Sequence, residues 1–211
     1  MISKSHKFIF VEIYRVASRS LANSFYKYKF HRNIFYRGVN KFLIPDDKTV
    51  AFFSKLPKKH GEAVAYKNYL GNKYNDYYSF AFVRNPYDWQ LSLFFRMKET
   101  VRHPQYKIIK DMDFNEYIEW RCKEDRRLQK SFLVDEKNRL LVDFIGKYEN
   151  LQDDFDKVCK KLKINEELIH TNQSKTKLEH YSYYYDNKSI SLMKKHFEED
   201  FKLLNYPTEI N

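Results

Sequence analysis

Glycine is scarce in this chain, with 4 residues in 211, at Gly38, Gly61, Gly71 and Gly146. None of them builds the spacing GxxxxGK(S/T), so the glycine-rich loop of the nucleotide triphosphatases is excluded. Cysteine is scarcer, with only 2 residues, Cys122 and Cys159, which have no metal-ligand spacing and suggest no disulfide framework. Cys159 falls on the apolar face of a helical pattern, which predicts a core thiol. No stretch approaches the roughly 18 apolar residues that a membrane span requires. No signal-peptide pattern precedes the first hydrophobic run at Phe8, so a soluble, cytoplasmic chain is expected if Met1 is the native start. Repeats, low-complexity tracts and Gly/Ser linkers are missing too, which predicts a single domain over residues 1–211.

Charge and aromatic side chains are plentiful. The formal net charge is +11, and 18% of residues are aromatic within a hydrophobic content of 43%. A chain of this size and composition can bury a core. Its charge points to an anionic partner: a nucleotide, a nucleic acid, an acidic glycan or a membrane surface. The basic residues are interleaved with acids along the whole sequence, which argues against nucleic acid. No cluster of metal-ligating residues is evident, so no metal is expected.

Periodicity supplies the architecture. Residues 8–13 (FIFVEI), 49–54, 80–83 (FAFV) and 140–148 read as strands, the first and third as continuous apolar runs buried on both faces. Helical patterns follow over 21–30, from Lys59-His60-Gly61 to a stop at Gly71, after Pro86, and over 113–120 behind an Asp113/Glu116 capping box. Leu151, Phe155, Val158, Cys159 and Leu162 form one apolar helical stripe. Ile190, Met193, Phe197, Phe201 and Leu204 form another, behind a cap at Asp186 or Asn187. Strands alternating with helices predict an α/β fold with a mostly parallel central sheet flanked by helices.

Two strand-to-helix turns stand out. In FAFVRNPYDWQLS, Arg84 stands at the carboxyl end of a buried strand, Pro86 suits the first helical turn, and Ser92 lies two turns into the helix. Open α/β sheets bind ligands along that edge, and the helix start favours an anion. The competing reading is a solvent-facing arginine at an ordinary corner. The segment from Glu12 to Leu21 repeats the layout, with Ala17, Ser18 and Ser20 letting the backbone approach a ligand in place of glycine. Arg15 and Arg19 supply charge there, and Ser18 or Ser20 can cap the helix. The alternative is again an ordinary capped helix with exposed arginines. Two such strand ends together suggest one ligand with two separate phosphate groups.

These segments resemble the P-loop-like sulfotransferases, in particular the carbohydrate sulfotransferases and their bacterial relatives. Residues 13–20 (IYRVASRS) are similar to the family's 5′-phosphosulfate loop, and residues 80–92 match nearly all of its 3′-phosphate motif, F-x-F-V-R-N-P-W/Y-D-R-x-x-S. Lys59-His60-Gly61, residues 142–151 (VDFIGKYENL) and residues 183–206 resemble further family segments in the family's order. The resemblance implies the P-loop-like sulfotransferase fold and transfer of a sulfuryl group from 3′-phosphoadenylyl sulfate (PAPS), a co-substrate, to an acceptor hydroxyl on a partner expected to be a glycan. It assigns Arg84 and Ser92 to the 3′-phosphate, and Arg15, Val16, Ala17, Ser18, Arg19, Ser20 and Leu21 to the 5′-phosphosulfate.

By the same resemblance His60 is the general base, a role suited to an ordinary pKa near neutrality, and Arg15 stabilises the leaving group. Arg127 and Gln129 fall near the acceptor cleft, and residues 172–175 (NQSK) over the nucleotide. Four positions depart from the pattern: Arg15 stands where the family usually has lysine, Tyr14 where it has proline, Arg19 where it has threonine, and Trp89 where the 3′-motif has arginine. Arginine keeps the charge but not the shape of lysine. A small-molecule kinase and a non-catalytic binder of nucleic acid or acidic glycan remain as alternatives.

Overall fold

A computed structural model describes residues 1–29, 57, 59–169 and 179–210. The expected strand at 49–54 and the expected nucleotide-covering loop at 172–175 lie outside these residues. Among the described residues, four strands form one sheet in the order β1 (Ile2–Ser3), β2 (Phe8–Val11), β3 (Tyr78–Val83) and β4 (Phe144–Lys147). β1 runs antiparallel to β2, while β2 with β3 and β3 with β4 are parallel. Helices Ser18–Ser24, Ala63–Leu70, Pro86–Glu99, Phe114–Glu124, Leu151–Leu162, Asn187–His196 and Glu198–Leu203 flank the sheet. The architecture is therefore α/β with a mostly parallel sheet, as the alternation of patterns predicts.

The aromatic content builds the core. Every residue of β2 is fully buried, as are Phe80 to Val83 of β3, which is why neither strand shows alternation. Phe10 stacks on Phe80 with ring centres 5.2 Å apart, and Phe25 meets Phe155 at 5.2 Å, tying the sheet to the helices on that face. Gly146 is the position in β4 where a side chain cannot fit, since a Cβ there would lie 2.6 Å from the Phe82 ring. Gly146→Ala should cost about 1–3 kcal/mol through overpacking, measurable as a fall in the denaturant midpoint with unchanged slope.

Several boundaries differ from expectation for reasons that are not local. β2 ends at Val11, because the chain turns at Glu12 and that residue's carbonyl accepts from His60. β4 begins only at Phe144. Before it, Asp143 folds onto Ser79, accepting from its N–H and its hydroxyl at 2.7 Å each, and Leu140 pairs only with Val134 in an isolated bridge. The segment Lys59-His60-Gly61 does not open a helix: His60 has φ 58°, and the helix starts at Ala63 behind an extended Glu62. The first helix stops at Ser24 and continues as a 3-10 turn over Tyr26–Tyr28. The last helical pattern is two helices broken at Phe197 (φ −114°, ψ 15°), yet Met193, Phe197, Phe201 and Leu204 all remain buried. The expected Asp113/Glu116 capping box forms, and of the two candidate caps for the later helix it is Asp186 that serves, in a box with Ser189.

Candidate active site

The carboxyl ends of β2 and β3 lie side by side, and each opens into a turn that starts a helix. After β2, Arg15 and Ala17 both adopt positive φ, 65° and 58°, while Val16 between them does not. Such alternation points successive backbone N–H groups into one concavity, a geometry that suits an anion. The left-handed region costs a residue with a side chain about 1–2 kcal/mol. Strain of this kind persists where the surroundings impose it, and it collects at functional sites. Glycine is thus replaced by strained residues in the turn. Ala17 is the helix N-cap and offers no side-chain cap, so neither Ser18 nor Ser20 caps the helix as expected. Ser18, Ser20 and Leu21 are buried beside the turn, and Arg19 is exposed.

After β3, Asn85 caps the next helix by accepting from the Tyr87 N–H at 3.0 Å, with Pro86 in the first helical position. Arg84 is almost wholly buried. Its Nε donates to Asp88 Oδ2 at 2.6 Å, and its guanidinium lies over the Tyr148 ring at 4.1 Å. Its Nη1 donates to the Arg15 carbonyl at 3.2 Å, while Arg15 Nε donates to Ser92 Oγ at 2.9 Å. The two turns are therefore interlocked, each arginine reaching into the other's turn. Burial, then the positive charges of Arg84 and Arg96, push Arg15 down to about 10. It stays protonated at neutral pH. Positive charge is nonetheless concentrated here at an electrostatic cost that a bound anion would relieve.

Trp89 locks the same corner. Its indole N–H donates to the Tyr14 carbonyl at 2.8 Å and its ring stacks on Tyr14 at 5.4 Å. The two departures at Tyr14 and Trp89 are thus one paired contact. The backbone of Asn85 is braced by Glu149, whose carboxylate accepts its N–H at 2.7 Å and also accepts from the Tyr206 hydroxyl at 2.6 Å.

His60 lies beside the first turn, half-buried, with Nδ1 2.9 Å from the Glu12 carbonyl. A carbonyl can only accept, so Nδ1 is the donor, and in the neutral imidazole Nε2 is the nitrogen with the lone pair. The Tyr14 ring meets His60 edge-on at 6.0 Å and Phe132 at 5.5 Å. Arg127 sits over Phe132 at 4.5 Å and donates to Glu62 at 3.0 Å. His60, Tyr14, Phe132 and Arg127 thus form a continuous run of contacts next to the turns. Gln129 is different: it is fully buried, and both polar atoms of its amide are engaged by the Arg84 backbone. Its amide is therefore turned toward the strand end.

The structure brings Arg15, Arg84 and Ser92 into contact, and the sequence reading missed the groups that hold them. Asp88 carried a signal, four residues beyond Arg84 at a helix start. Tyr148 carried none; it reaches Arg84 because β4 pairs Lys147 with Val83. Among the described residues, no group of three or more His, Cys, Asp or Glu side chains could hold a metal ion, and no helix is long and apolar enough to cross a membrane.

A model described as "Sulfotransferase family" matches residues 1–207. The chain belongs to the sulfotransferase family. Neither the search of curated proteins nor that of solved structures returned a match. Membership carries sulfuryl transfer to an acceptor hydroxyl and fits the P-loop-like α/β architecture described above. That assignment also weighs against the kinase and non-catalytic alternatives.

Proposed function

We propose that this sulfotransferase uses PAPS as donor and sulfates a carbohydrate hydroxyl. The observation that carries the reading is the interlock at the sheet edge, where Arg15 donates to Ser92 and Arg84 donates to the Arg15 carbonyl. Two cationic turns joined in this way suit a ligand with two phosphate groups on one nucleoside. Arg84 and Ser92 hold the 3′-phosphate. The turn from Arg15 to Leu21 holds the 5′-phosphosulfate through its backbone N–H groups, Ser18, Ser20 and Arg19.

PAPS supplies an activated sulfuryl group on a good leaving group. The protein's part is to align, to take a proton and to steady charge. His60 Nε2, held as the acceptor nitrogen by the Nδ1 contact to Glu12, takes the proton of the attacking hydroxyl. As that oxygen bonds to sulfur, the bond from sulfur to the bridging phosphate oxygen breaks and its electron pair leaves with the nucleotide. Arg15, at the hinge between the two turns, stabilises that developing charge with the turn's N–H groups. Arg127, exposed at the end of the run of contacts from His60 through Tyr14, suits an acidic sugar. The formal net charge of +11 favours the approach of a polyanion.

Incubation with sulfur-radiolabelled PAPS and a panel of neutral glycans, acidic glycans, phenols and lipids tests this. Label should pass to a glycan. Transfer confined to phenols or lipids would overturn the carbohydrate assignment while leaving the donor intact.

A further inference from the structure

We propose that Gln129 is a positioning residue that sets the place of the Arg84 guanidinium through a two-point clamp on the Arg84 backbone. This rests on the assignment of Arg84 to the 3′-phosphate. Gln129 Oε1 accepts from the Arg84 N–H at 2.9 Å and Nε2 donates to the Arg84 carbonyl at 2.8 Å, so one side-chain amide satisfies both backbone groups. β3 ends at Val83, and its ladder to β4 stops with Val83 opposite Lys147. Arg84 is the next residue and is buried, so without the clamp its N–H and carbonyl would lack a strand partner. Gln129 extends the sheet's hydrogen bonding by one residue from outside the sheet.

The clamp is itself anchored. The Gln129 N–H donates to Asp200 Oδ2 at 2.9 Å and the Lys130 N–H donates to Oδ1 at 2.7 Å, with Asp200 fully buried. A chain of three residues, Asp200 to Gln129 to Arg84, thus connects the Glu198–Leu203 helix to the strand end. The far end of Arg84 is fixed by Asp88 and Tyr148. A guanidinium held at both ends presents its remaining N–H groups in one place, and misplacement by about 1 Å is enough to lose most of the benefit of such alignment. The Gln129 amide touches neither nucleotide nor acceptor in this assignment. It acts through Arg84.

The test compares 3′-phosphoadenylyl sulfate with adenosine 5′-phosphosulfate, which differs from it only in lacking the 3′-phosphate, by calorimetric titration. Wild type should prefer the first ligand. In Gln129→Met that preference should shrink at least about tenfold, equivalent to about 1.4 kcal/mol, while affinity for adenosine 5′-phosphosulfate is retained. Gln129→Glu serves if the first variant does not fold. A protonated carboxyl offers the same donor and acceptor, so relative to wild type its preference should recover as pH is lowered toward about 5.5. Equal losses for both ligands, or an unchanged preference in the variants, would overturn the positioning role alone. Absence of any preference in wild type would instead remove the 3′-phosphate assignment beneath it.

Discussion

Arg84→Ala should weaken binding of 3′-phosphoadenosine 5′-phosphate by roughly 30- to 1000-fold or more. Truncating one member of a buried, hydrogen-bonded charge cluster typically costs about 2–5 kcal/mol, and every 1.4 kcal/mol is about tenfold. The variant should also lose thermal stability, because the buried Asp88 loses the arginine that donates to it at 2.6 Å. Arg84→Ala combined with Asp88→Asn separates the two effects: the double variant should regain thermal stability without regaining nucleotide affinity. Arg84→Lys should fall between, because lysine keeps a charge but cannot at once face Asp88, stack on Tyr148 and reach the Arg15 carbonyl. Calorimetric titration reads all three. Wild-type affinity in Arg84→Ala would show that the 3′-phosphate sits elsewhere.

His60→Ala should lower the turnover rate by about 10²- to 10⁴-fold, the range expected for loss of a general base. Affinity for 3′-phosphoadenosine 5′-phosphate should stay near the wild-type value, since the proposed nucleotide contacts come from the two turns and not from the imidazole. The distinction matters because His60 also braces the chain through Nδ1 and the Glu12 carbonyl. His60→Asn, whose amide N–H₂ can keep a donor near that carbonyl, should be as slow as His60→Ala. A brace-only role predicts recovery of the rate in the asparagine variant, and that outcome would remove the base assignment.

Local chemistry made much of this legible. An apolar run ending in Arg-Asn-Pro states where a buried strand stops and a helix begins, and the structure places β3 over Tyr78–Val83 and a helix from Pro86. The cap at Asp113 was readable for the same reason, being a short pattern that satisfies its own helix end, while the choice between Asp186 and Asn187 came only with the structure. What the sequence hid is set by contacts between distant segments. Arg15 and Ser92 are 77 residues apart, and Gln129 and Arg84 are 45 apart, so no spacing rule links them. The late start of β4 follows from Asp143 meeting Ser79 across 64 residues. The strain in the first turn was equally hidden. Positive φ at Arg15 and Ala17 goes against the preference of both residue types, and only the surrounding fold imposes it.

The pairing of Tyr14 with Trp89 shows how a departure from a family pattern can be read. Each is unusual alone, at the positions where the sulfotransferase resemblance expects proline and arginine. Together they form a stacked pair whose indole N–H holds the Tyr14 carbonyl. That contact fixes the residue just before Arg15, and so the approach of the first turn to the second.

The two interlocked turns are proposed to grip a nucleotide phosphorylated at both the 3′ and 5′ positions. Titration of the wild-type protein with 3′-phosphoadenosine 5′-phosphate, beside ATP and a short RNA at the same ionic strength, tests it most directly. The account predicts saturable binding of the bisphosphorylated nucleotide with a rise in melting temperature, and weaker binding of the other two. No binding of 3′-phosphoadenosine 5′-phosphate, or RNA binding that alone stabilises the protein and falls steeply with salt, would contradict it.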